Sequence, residues 1–275
     1  LIYILLHAEL GTLFFKGKKN QIIKMTKPLI PQDKNILYDL ERESIYMAHL
    51  AKYVNDYGGY PIYKNTTVEY YSVGEEKYAS MLYELEKAER FIFMEYFIID
   101  HGKMWNTILD ILERKAEQGV EVRLLYDGMG SQFLLPNHYD KYLETKGIKC
   151  RIFNEFRPFL STAQNNRDHR KILVIDGTTA FNGGVNLADE YINEKERFGH
   201  WKDTAVMLKG EAVWSFTVMF IQMWEWKTKQ LSDYEKYRPA NISQFNRISE
   251  GYVLPYGDSP TDNEPVGELV YLNII

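Results

Sequence analysis

Short apolar segments alternate with helical patterns from Val68 onward, and this alternation constrains the fold more than any other feature of the chain. The apolar segments are rich in aromatic and β-branched residues, which favour strands. The segments between them have amphipathic patterns, some of which stop at a glycine, as helices often do. The predicted strands are 91–99, 120–126, 147–153, 171–175, 178–181 and 203–208, and the predicted helices are 75–90, 103–118, 136–146 and 211–226. This order predicts an α/β fold with helices on both faces of the sheet.

Residues 169–186 carry the strongest functional signal in the chain. Their pattern is His-x-Lys, four apolar residues, Asp, six residues, and then Gly-Gly-x-Asn. His169 and Lys171 stand where the strand 171–175 begins, so we expect their side chains to point to the same face. The specified residues of the pattern are His169, Lys171, Asp176, Gly183, Gly184 and Asn186.

These residue types fit a site that handles a phosphodiester. Such a site needs a nucleophile, fixed positive charge and hydrogen-bond donors for the phosphate oxygens. We expect the neutral imidazole of His169 to attack phosphorus, and Lys171 and Asn186 to hold the oxygens. The paired glycines, Gly184 included, would let the backbone approach the bound anion. The alternative is a surface histidine beside a basic cluster, which the complete spacing disfavours.

At these positions the sequence resembles the phospholipase D superfamily, whose signature is H-x-K-x4-D-x6-G-G/S-x-N. Within the superfamily it is most similar to the bacterial cardiolipin synthase family. Three further runs carry that similarity, namely Glu-Tyr-Phe at 95–97, Asp-Glu-Tyr at 189–191 and Trp-Lys-Asp-Thr at 201–204. The resemblance extends from about residue 59 to the end of the chain, and it implies a phospholipase D-like αβα sandwich with a mixed sheet.

The resemblance implies a transferase that joins two phosphatidylglycerol molecules into cardiolipin and releases glycerol. The reaction would pass through a phosphatidyl-histidine intermediate and use no metal or other cofactor. His169 would be the nucleophile or the partner acid, and Lys171 and Asn186 would bind phosphate. Asp176, grouped with the catalytic residues, would brace the motif. Asp203 would be the supporting carboxylate that orients the histidine.

The family carries two such motifs per chain, whereas this sequence has one. The other His-x-Lys triplets, at 101–103 and 200–202, lack the Asp and the Gly-Gly-x-Asn that should follow. The chain begins without methionine and stops inside an apolar run. We therefore expect a fragment that is inactive alone and is completed by a second such domain of a longer chain. The pattern of 67–97 recurs loosely from 251 to 275, which supports an internal repeat.

The N-terminal residues favour a membrane location. Residues 1–15 are strongly apolar, although they are fewer than the ~20 that a membrane-spanning helix needs. The lysines that follow resemble the cytoplasmic flank of a membrane segment. A core helix and a solvated face are the alternatives for these two stretches. The predicted divisions are 1–27 for the end of a membrane segment and its flank, 28–66 for a linker helix, 67–245 for the first phospholipase D-like domain and 246–275 for the start of a truncated second one. Within the linker, the apolar pattern predicts one amphipathic helix over 35–57.

Two acidic residues near strand ends are further candidates for substrate contact. Glu95 lies late in the strand 91–99, and Asp127 follows the strand 120–126, so both would sit at a rim where ligands often bind. A loop carboxylate is the alternative for Glu95, and an ordinary Asp-Gly turn is the alternative for Asp127. Cys150 is the one cysteine, which excludes an intramolecular disulfide.

The net charge of the chain bears on which kinds of molecule it binds. The formal net charge of −5 gives no support for nucleic-acid binding, since surfaces that bind a duplex normally carry a basic excess. We expect phosphatidylglycerol as the substrate, with the catalytic part on the cytoplasmic side of the cell membrane. A phospholipase D or nuclease of the same superfamily is one alternative function. A lipid-binding protein without catalytic activity is the other.

Overall fold

The computed structural model describes Gly17 and residues 20–155, 166–227, 233–239, 250–258 and 264–275. These residues form two compact units. One unit is Val68–Leu208, and the other consists of the described residues on either side of it. All seven predicted site residues lie within Val68–Leu208. The division near residue 208 does not coincide with the predicted boundary near 245, and the predicted domain scheme remains a prediction.

A seven-stranded sheet has the order β1-β7-β6-β5-β2-β3-β4. The strands are β1 (Thr66–Tyr71), β2 (Phe91–Tyr96), β3 (Glu121–Asp127), β4 (Lys149–Phe153), β5 (Ile172–Ile175), β6 (Thr179–Gly183) and β7 (Ala205–Gly210). β2, β3 and β4 run parallel, whereas β5 is antiparallel to both β2 and β6. The sheet is therefore mixed, and the predicted strands are present with small shifts at their ends.

A tight turn joins β5 to β6 and sets the position of the motif. Asp176 and Gly177 both have left-handed backbone angles, with φ of 54° and 72°. Asp and Gly tolerate that region better than most residues, so the chain can reverse at once. β6 then runs back along β5 and places Asn182 opposite Ile172. The end of β6 consequently lies beside the start of β5.

The α-helices among the described residues include α1 (Lys34–Glu43), α2 (Ile45–Tyr53), α3 (Gly74–Glu86), α4 (Lys103–Glu117), α5 (Tyr139–Thr145), α6 (Val213–Trp224) and α7 (Val266–Ile274). Within Val68–Leu208, α3 packs on α4, α4 contacts β3, and α5 contacts β4. Trp105 and Ile108 of α4 join a core that includes Met94 of β2. All six residues of β2 are buried, so the centre of the sheet is covered on both faces, and the strands and helices together confirm the predicted α/β class.

The single amphipathic helix predicted over 35–57 is wrong. α1 ends at Glu43 and α2 begins at Ile45, because Ser44 between them has extended backbone angles. Ser44 closes α1 with its N–H, which donates to the Leu40 carbonyl, and its hydroxyl caps α2 by accepting from the Met47 N–H. Serine favours this capping position because its oxygen can bond the free backbone N–H groups of a helix start.

No helix among the described residues is long and apolar enough to cross a membrane. The predicted membrane segment at 1–15 and three of the lysines after it lie outside the described residues. The predicted repeat also stays a prediction. Its second copy contains α7, but only an isolated bridge from Val253 to Tyr63 stands where a strand was expected.

Candidate active site

Sheet register brings the motif residues to one end of the sheet. Ile172 of β5 lies opposite both Glu95 of β2 and Asn182 of β6. The residues just before β5, just after β2 and just after β6 are therefore neighbours. His169 and Lys171 come from the first of these segments and Asn186 from the third. Phe97 comes from the second.

The imidazole of His169 is solvent-exposed and rests against the ring of Phe97. The two ring centroids are 4.8 Å apart, and the planes meet at 60°. Partial burial, followed by the nearby ammonium of Lys171, lowers the pKa of His169, while the carboxylates of Asp168 and Asp127 oppose the shift. The ring is therefore mostly neutral at pH 7. A neutral, accessible imidazole can attack phosphorus without first losing a proton.

The ammonium of Lys171 lies next to this imidazole. Nζ donates to the main-chain oxygen of His169 at 2.6 Å and stands 5.5 Å from the centroid of the Phe97 ring. The side chain is buried, and burial lowers the pKa of Lys171 to about 8, although Asp168 and Asp203 favour the charged form. Most of the population is charged at pH 7. Phe97 thus contacts both predicted catalytic side chains, a role that the sequence did not reveal.

Asn186 is buried, and its side chain makes two hydrogen bonds within the protein. Its Oδ1 accepts from the Ile98 N–H at 3.0 Å, and its Nδ2 donates to the Tyr191 hydroxyl at 2.9 Å. These bonds fix the amide beside the segment that follows β2. Nδ2 has a second hydrogen, which donates to no residue in the part of the chain that the structure describes. This hydrogen is the donor that a phosphate oxygen could use.

The predicted role of Gly184 in phosphate binding stays a prediction, and in this structure its backbone bonds to protein. Its N–H donates to the Thr204 carbonyl at 3.0 Å, so it is already used. A Cβ at Gly184 would overlap the carboxylate of Asp203, and one at Gly183 would overlap the Thr204 carbonyl. The two glycines are needed because the segment before β7 lies directly against them. They make room for this protein segment.

Asp203 does not hold the histidine in this structure. No hydrogen bond or ion pair joins it to His169, although both residues are described. Its Oδ1 accepts from the Thr204 N–H at 2.8 Å, and its charge favours the ammonium forms of Lys171 and Lys77. The predicted orienting role stays a prediction, and in this structure the carboxylate favours the charged forms of the two lysines. The carboxylates that influence the imidazole are those of Asp168 and Asp127.

Asp176 lies at the opposite end of β5 from Lys171. Its carboxylate accepts from three consecutive main-chain N–H groups at the start of β2, those of Glu89, Arg90 and Phe91, at 2.7 to 2.9 Å. The distance along the strand keeps it away from any anion that Lys171 binds. The three hydrogen bonds agree with the predicted bracing role, and the grouping of Asp176 with the catalytic residues stays a prediction.

Glu95 and Asp127 are both fully buried in this structure, and the predicted contact of either with substrate stays a prediction. Asp127 accepts from the N–H groups of Met129, Gly130 and Asp168 and pairs with Arg167 at 3.2 Å. These bonds anchor the segment before His169 to the end of β3. The burial of the carboxylate is stabilised because its partners supply both hydrogen bonds and charge.

Glu95 pairs with Arg170, whose Nε lies 2.6 Å from its Oε1 and 3.3 Å from Asp168 Oδ1. Burial raises the pKa of Glu95 well above its usual value, since the attraction of Arg170 is weaker and Asp168 adds repulsion. Two carboxyl groups therefore share one guanidinium. Alternate residues of the segment have separate tasks: Asp168 and Arg170 bind this buried network, whereas His169 and Lys171 face the site.

Among the described residues, no group of three or more His, Cys, Asp or Glu side chains is placed to hold a metal ion. The expectation of a metal-free site stays a prediction. Lys77 is the cation that the sequence analysis missed, because it sits in a helical pattern where a lysine normally faces solvent. The structure buries it next to Val185 of the motif. One sign of this burial was present in the sequence: Lys77 is a charged residue on the helix face that packs against the sheet.

Comparison with known proteins assigns the chain to a family. Residues 81–224 match the family model described as cardiolipin synthase, PLD-like domain, which is more than half of the chain. A Streptococcus mutans protein described as uncharacterized is 51% identical over 288 residues, covering 100% of this chain and 62% of its own length. The cardiolipin synthase of Alkalihalophilus pseudofirmus is 35% identical, with coverages of 82% and 44%. That of Geobacillus kaustophilus is 41% identical, with coverages of 62% and 34%. The chain thus spans less than two thirds of each relative.

Solved structures show more distant similarity. NucT from Helicobacter pylori aligns with a TM-score of 0.45 and 14% identity, covering 58% of this chain and 96% of that one. Phosphatidylserine synthase from Haemophilus influenzae aligns with a TM-score of 0.46 and 14% identity, covering 76% of this chain and 51% of that one.

Proposed function

Because the chain belongs to the family described as cardiolipin synthase, PLD-like domain, we propose that it forms part of a phosphatidyltransferase that makes cardiolipin from two phosphatidylglycerol molecules. The observation that carries the proposal is the pairing of His169 and Lys171. An exposed imidazole of lowered pKa stands beside a buried ammonium, and both contact Phe97. A nucleophile and fixed positive charge are two of the requirements of phosphodiester chemistry.

In the first step, a nitrogen of His169 attacks phosphorus, and the bond from phosphorus to the head-group glycerol oxygen breaks. An acid donates a proton to that oxygen as glycerol leaves. In the second step, the head-group hydroxyl of another phosphatidylglycerol attacks phosphorus, the phosphorus to nitrogen bond breaks, and the hydroxyl proton passes to the same group, now a base. If His169 is instead the acid and base, a second histidine forms the covalent bond. Lys171 and Asn186 hold the phosphate oxygens in either case.

Either assignment requires a second His-Lys pair. We place it in another phospholipase D-like domain, which the greater length of the relatives leaves room for. Residues 1–275 alone would then lack the partner for His169 and would not turn over. The proposal also includes a cell-membrane location with the site on the cytoplasmic side. The lipid nature of the substrate and the lysines that follow residues 1–15 support it.

The test is to incubate the purified full-length protein in detergent micelles with phosphatidylglycerol labelled in the head group, and to measure lipids and released glycerol by mass spectrometry. The proposal predicts one cardiolipin per glycerol released, with chelator leaving the rate unchanged. Phosphatidic acid as the main product would identify a phospholipase D, and cleavage of nucleic acid without lipid turnover would identify a nuclease. Lipid binding without any turnover would indicate a protein without catalytic activity. Each of these outcomes rejects the proposed transfer.

A further inference from the structure

Lys77 of α3 places an ammonium inside the unit that carries the candidate site. The residue is 1% exposed. Its Nζ donates to the main-chain oxygen of Val185 at 3.1 Å, and it lies 3.4 Å from the hydroxyl of Tyr96 and 5.1 Å from the centroid of that ring. Val185 is the variable residue of Gly-Gly-x-Asn, directly before Asn186. The lysine therefore contacts the motif from the side of the core.

This ammonium has no ion-pair partner among the described residues. The four acidic residues of its own helix have other partners: Glu75 bonds Asn193, Glu76 bonds Ser72, Glu84 pairs with Lys87 and Glu86 pairs with Arg114. A buried charge without a paired carboxylate is strongly disfavoured, and proteins retain one mainly where it acts. A leucine or methionine would fill the same space without that penalty. The packing of α3 alone does not explain the lysine.

Three ionisable groups from other elements face Lys77. They are Tyr96 of β2, Lys171 before β5 and Asp203 before β7. Burial is the largest influence and lowers the pKa of Lys77 to about 7, with Asp203 favouring the charge and Lys171 opposing it. Asp203 also favours the charged form of Lys171. Asp203 thus favours the charge on both buried lysines. Near pH 7, Lys77 is charged in only part of the population.

We propose that Lys77 is a positioning residue of the phosphodiester site, which holds the Val185–Asn186 segment and takes up a proton from solvent when an anion binds beside Lys171. The inference rests on the proposed function, because it needs an anionic phosphodiester at Lys171. A bound anion offsets the repulsion between the two ammonium groups. The protonated form of Lys77 is then favoured, and its donation to the Val185 oxygen fixes the amide of Asn186.

The direction of the pH effect follows from this coupling. Binding raises the pKa of Lys77 above its free value of about 7, so the complex binds more protons than the free protein. Affinity is highest below pH 7 and falls as the pH rises through 7. Loss of charge on Lys171, whose pKa is about 8, weakens binding at higher pH. The effects of the two lysines on affinity can therefore be distinguished between pH 7 and pH 8, where Lys77 loses most of its charge before Lys171 does.

The test measures binding of glycerophosphoglycerol, a phosphodiester whose single charge does not titrate between pH 6 and 9, to the full-length protein. Calorimetry in two buffers of different ionisation heat gives the number of protons taken up. We expect net uptake at pH 7.5 in the wild type. Lys77→Met should remove most of it and should weaken binding at pH 6 by about tenfold, the scale of one nearby charge at intermediate dielectric. The matched control is Lys87→Met, an exposed lysine next to the same helix.

Unchanged proton uptake and affinity in Lys77→Met would overturn the inference. If that variant does not fold, the ¹³Cε resonance of Lys77 in the wild type decides: it should report a pKa near 7 that rises when the ligand is added. If Lys77 is fully charged, or fully neutral, both with and without the ligand, its role is only structural. The two proposals can be rejected separately. Cardiolipin formation without proton uptake at Lys77 rejects only the role of Lys77. Proton uptake at Lys77 without cardiolipin formation rejects only the proposed reaction.

Discussion

The two ends of β5 belong to one sequence motif but have different surroundings. At its start, Lys171 presents a buried ammonium next to an exposed, mostly neutral imidazole. At its end, the carboxylate of Asp176 is bonded to three consecutive main-chain N–H groups. Asp176 is five positions after Lys171 along an extended chain, which corresponds to a separation of roughly 16 Å. The first end is suited to bind and react, whereas the second joins β5 to the start of β2.

A motif of fixed spacing therefore combines two kinds of constraint. His169, Lys171 and Asn186 are required by the proposed chemistry. Asp176 and the glycines are required by the chain itself, which must turn after β5 and pass closely by the segment before β7. Mutations at the two ends should consequently be separable, with one set lowering turnover and the other lowering stability.

The largest expected effect is at His169. His169→Ala in the full-length protein should reduce cardiolipin formation to below about one thousandth, because the reaction loses its nucleophile or its acid and base. Turnover of labelled phosphatidylglycerol is the measurement. His200→Ala is the control, since His200 is exposed and belongs to an incomplete His-x-Lys triplet. Activity within about tenfold of the wild type in His169→Ala would reject the assignment.

Lys171→Met should lower turnover by about a hundredfold, as expected for loss of one charge that stabilises the transition state. The free energy of unfolding should change little or increase, because a methionine carries no buried charge. Steady-state kinetics and urea unfolding test both points. The exposed Lys202→Met is the matched control. A Lys171→Met protein that turns over like the control would show that the ammonium has no part in the reaction.

At the opposite end, Asp176→Asn should destabilise the fold by about 2 kcal/mol, since an amide oxygen replaces a carboxylate that accepts three hydrogen bonds. Turnover per folded molecule should stay within about threefold of the wild type. Chemical unfolding and kinetics below the transition are the measurements. Asp110→Asn, an exposed position on α4, provides the control. If Asp176→Asn leaves stability unchanged, the bracing role is wrong.

Glu95→Gln should give the smallest effect, and it should depend on pH. The pKa of Glu95 is raised in the folded protein, so the stability from its bound proton is complete below the unfolded pKa and is lost as the pH rises through the folded value. The glutamine cannot lose a proton. Wild-type stability should therefore decline relative to Glu95→Gln from about pH 4.5 upward, by at least about 1 kcal/mol. Parallel curves, like those expected for the exposed control Glu117→Gln, would contradict the raised pKa.

The sequence was sufficient for the sheet and for the choice of a candidate site. Runs such as 91–96 and 172–175 are apolar enough to identify as buried strands, and the motif supplied the residues of the candidate site. The turn at Asp176 and Gly177 also follows from residue type. These features are local, because each depends on a few neighbouring residues.

The features that escaped prediction depend on contacts between distant segments. Glu95 is buried because Arg170 reaches it, and Gly184 is small because Asp203 lies against it. Lys77 looks like a solvated helix residue until α3 is packed next to Val185. Ser44 is different, since its capping signal is local but the surrounding amphipathic pattern continued across it.

The central claim is that chemistry and bracing are divided between the ends of β5. The most direct measurement compares Lys171→Met and Asp176→Asn in one series, with both turnover per folded molecule and the free energy of unfolding determined for each. The account predicts that Lys171→Met loses about a hundredfold in turnover at wild-type stability or above. Asp176→Asn should lose about 2 kcal/mol of stability at near wild-type turnover. A fully folded Asp176→Asn protein that is as inactive as Lys171→Met would contradict the division.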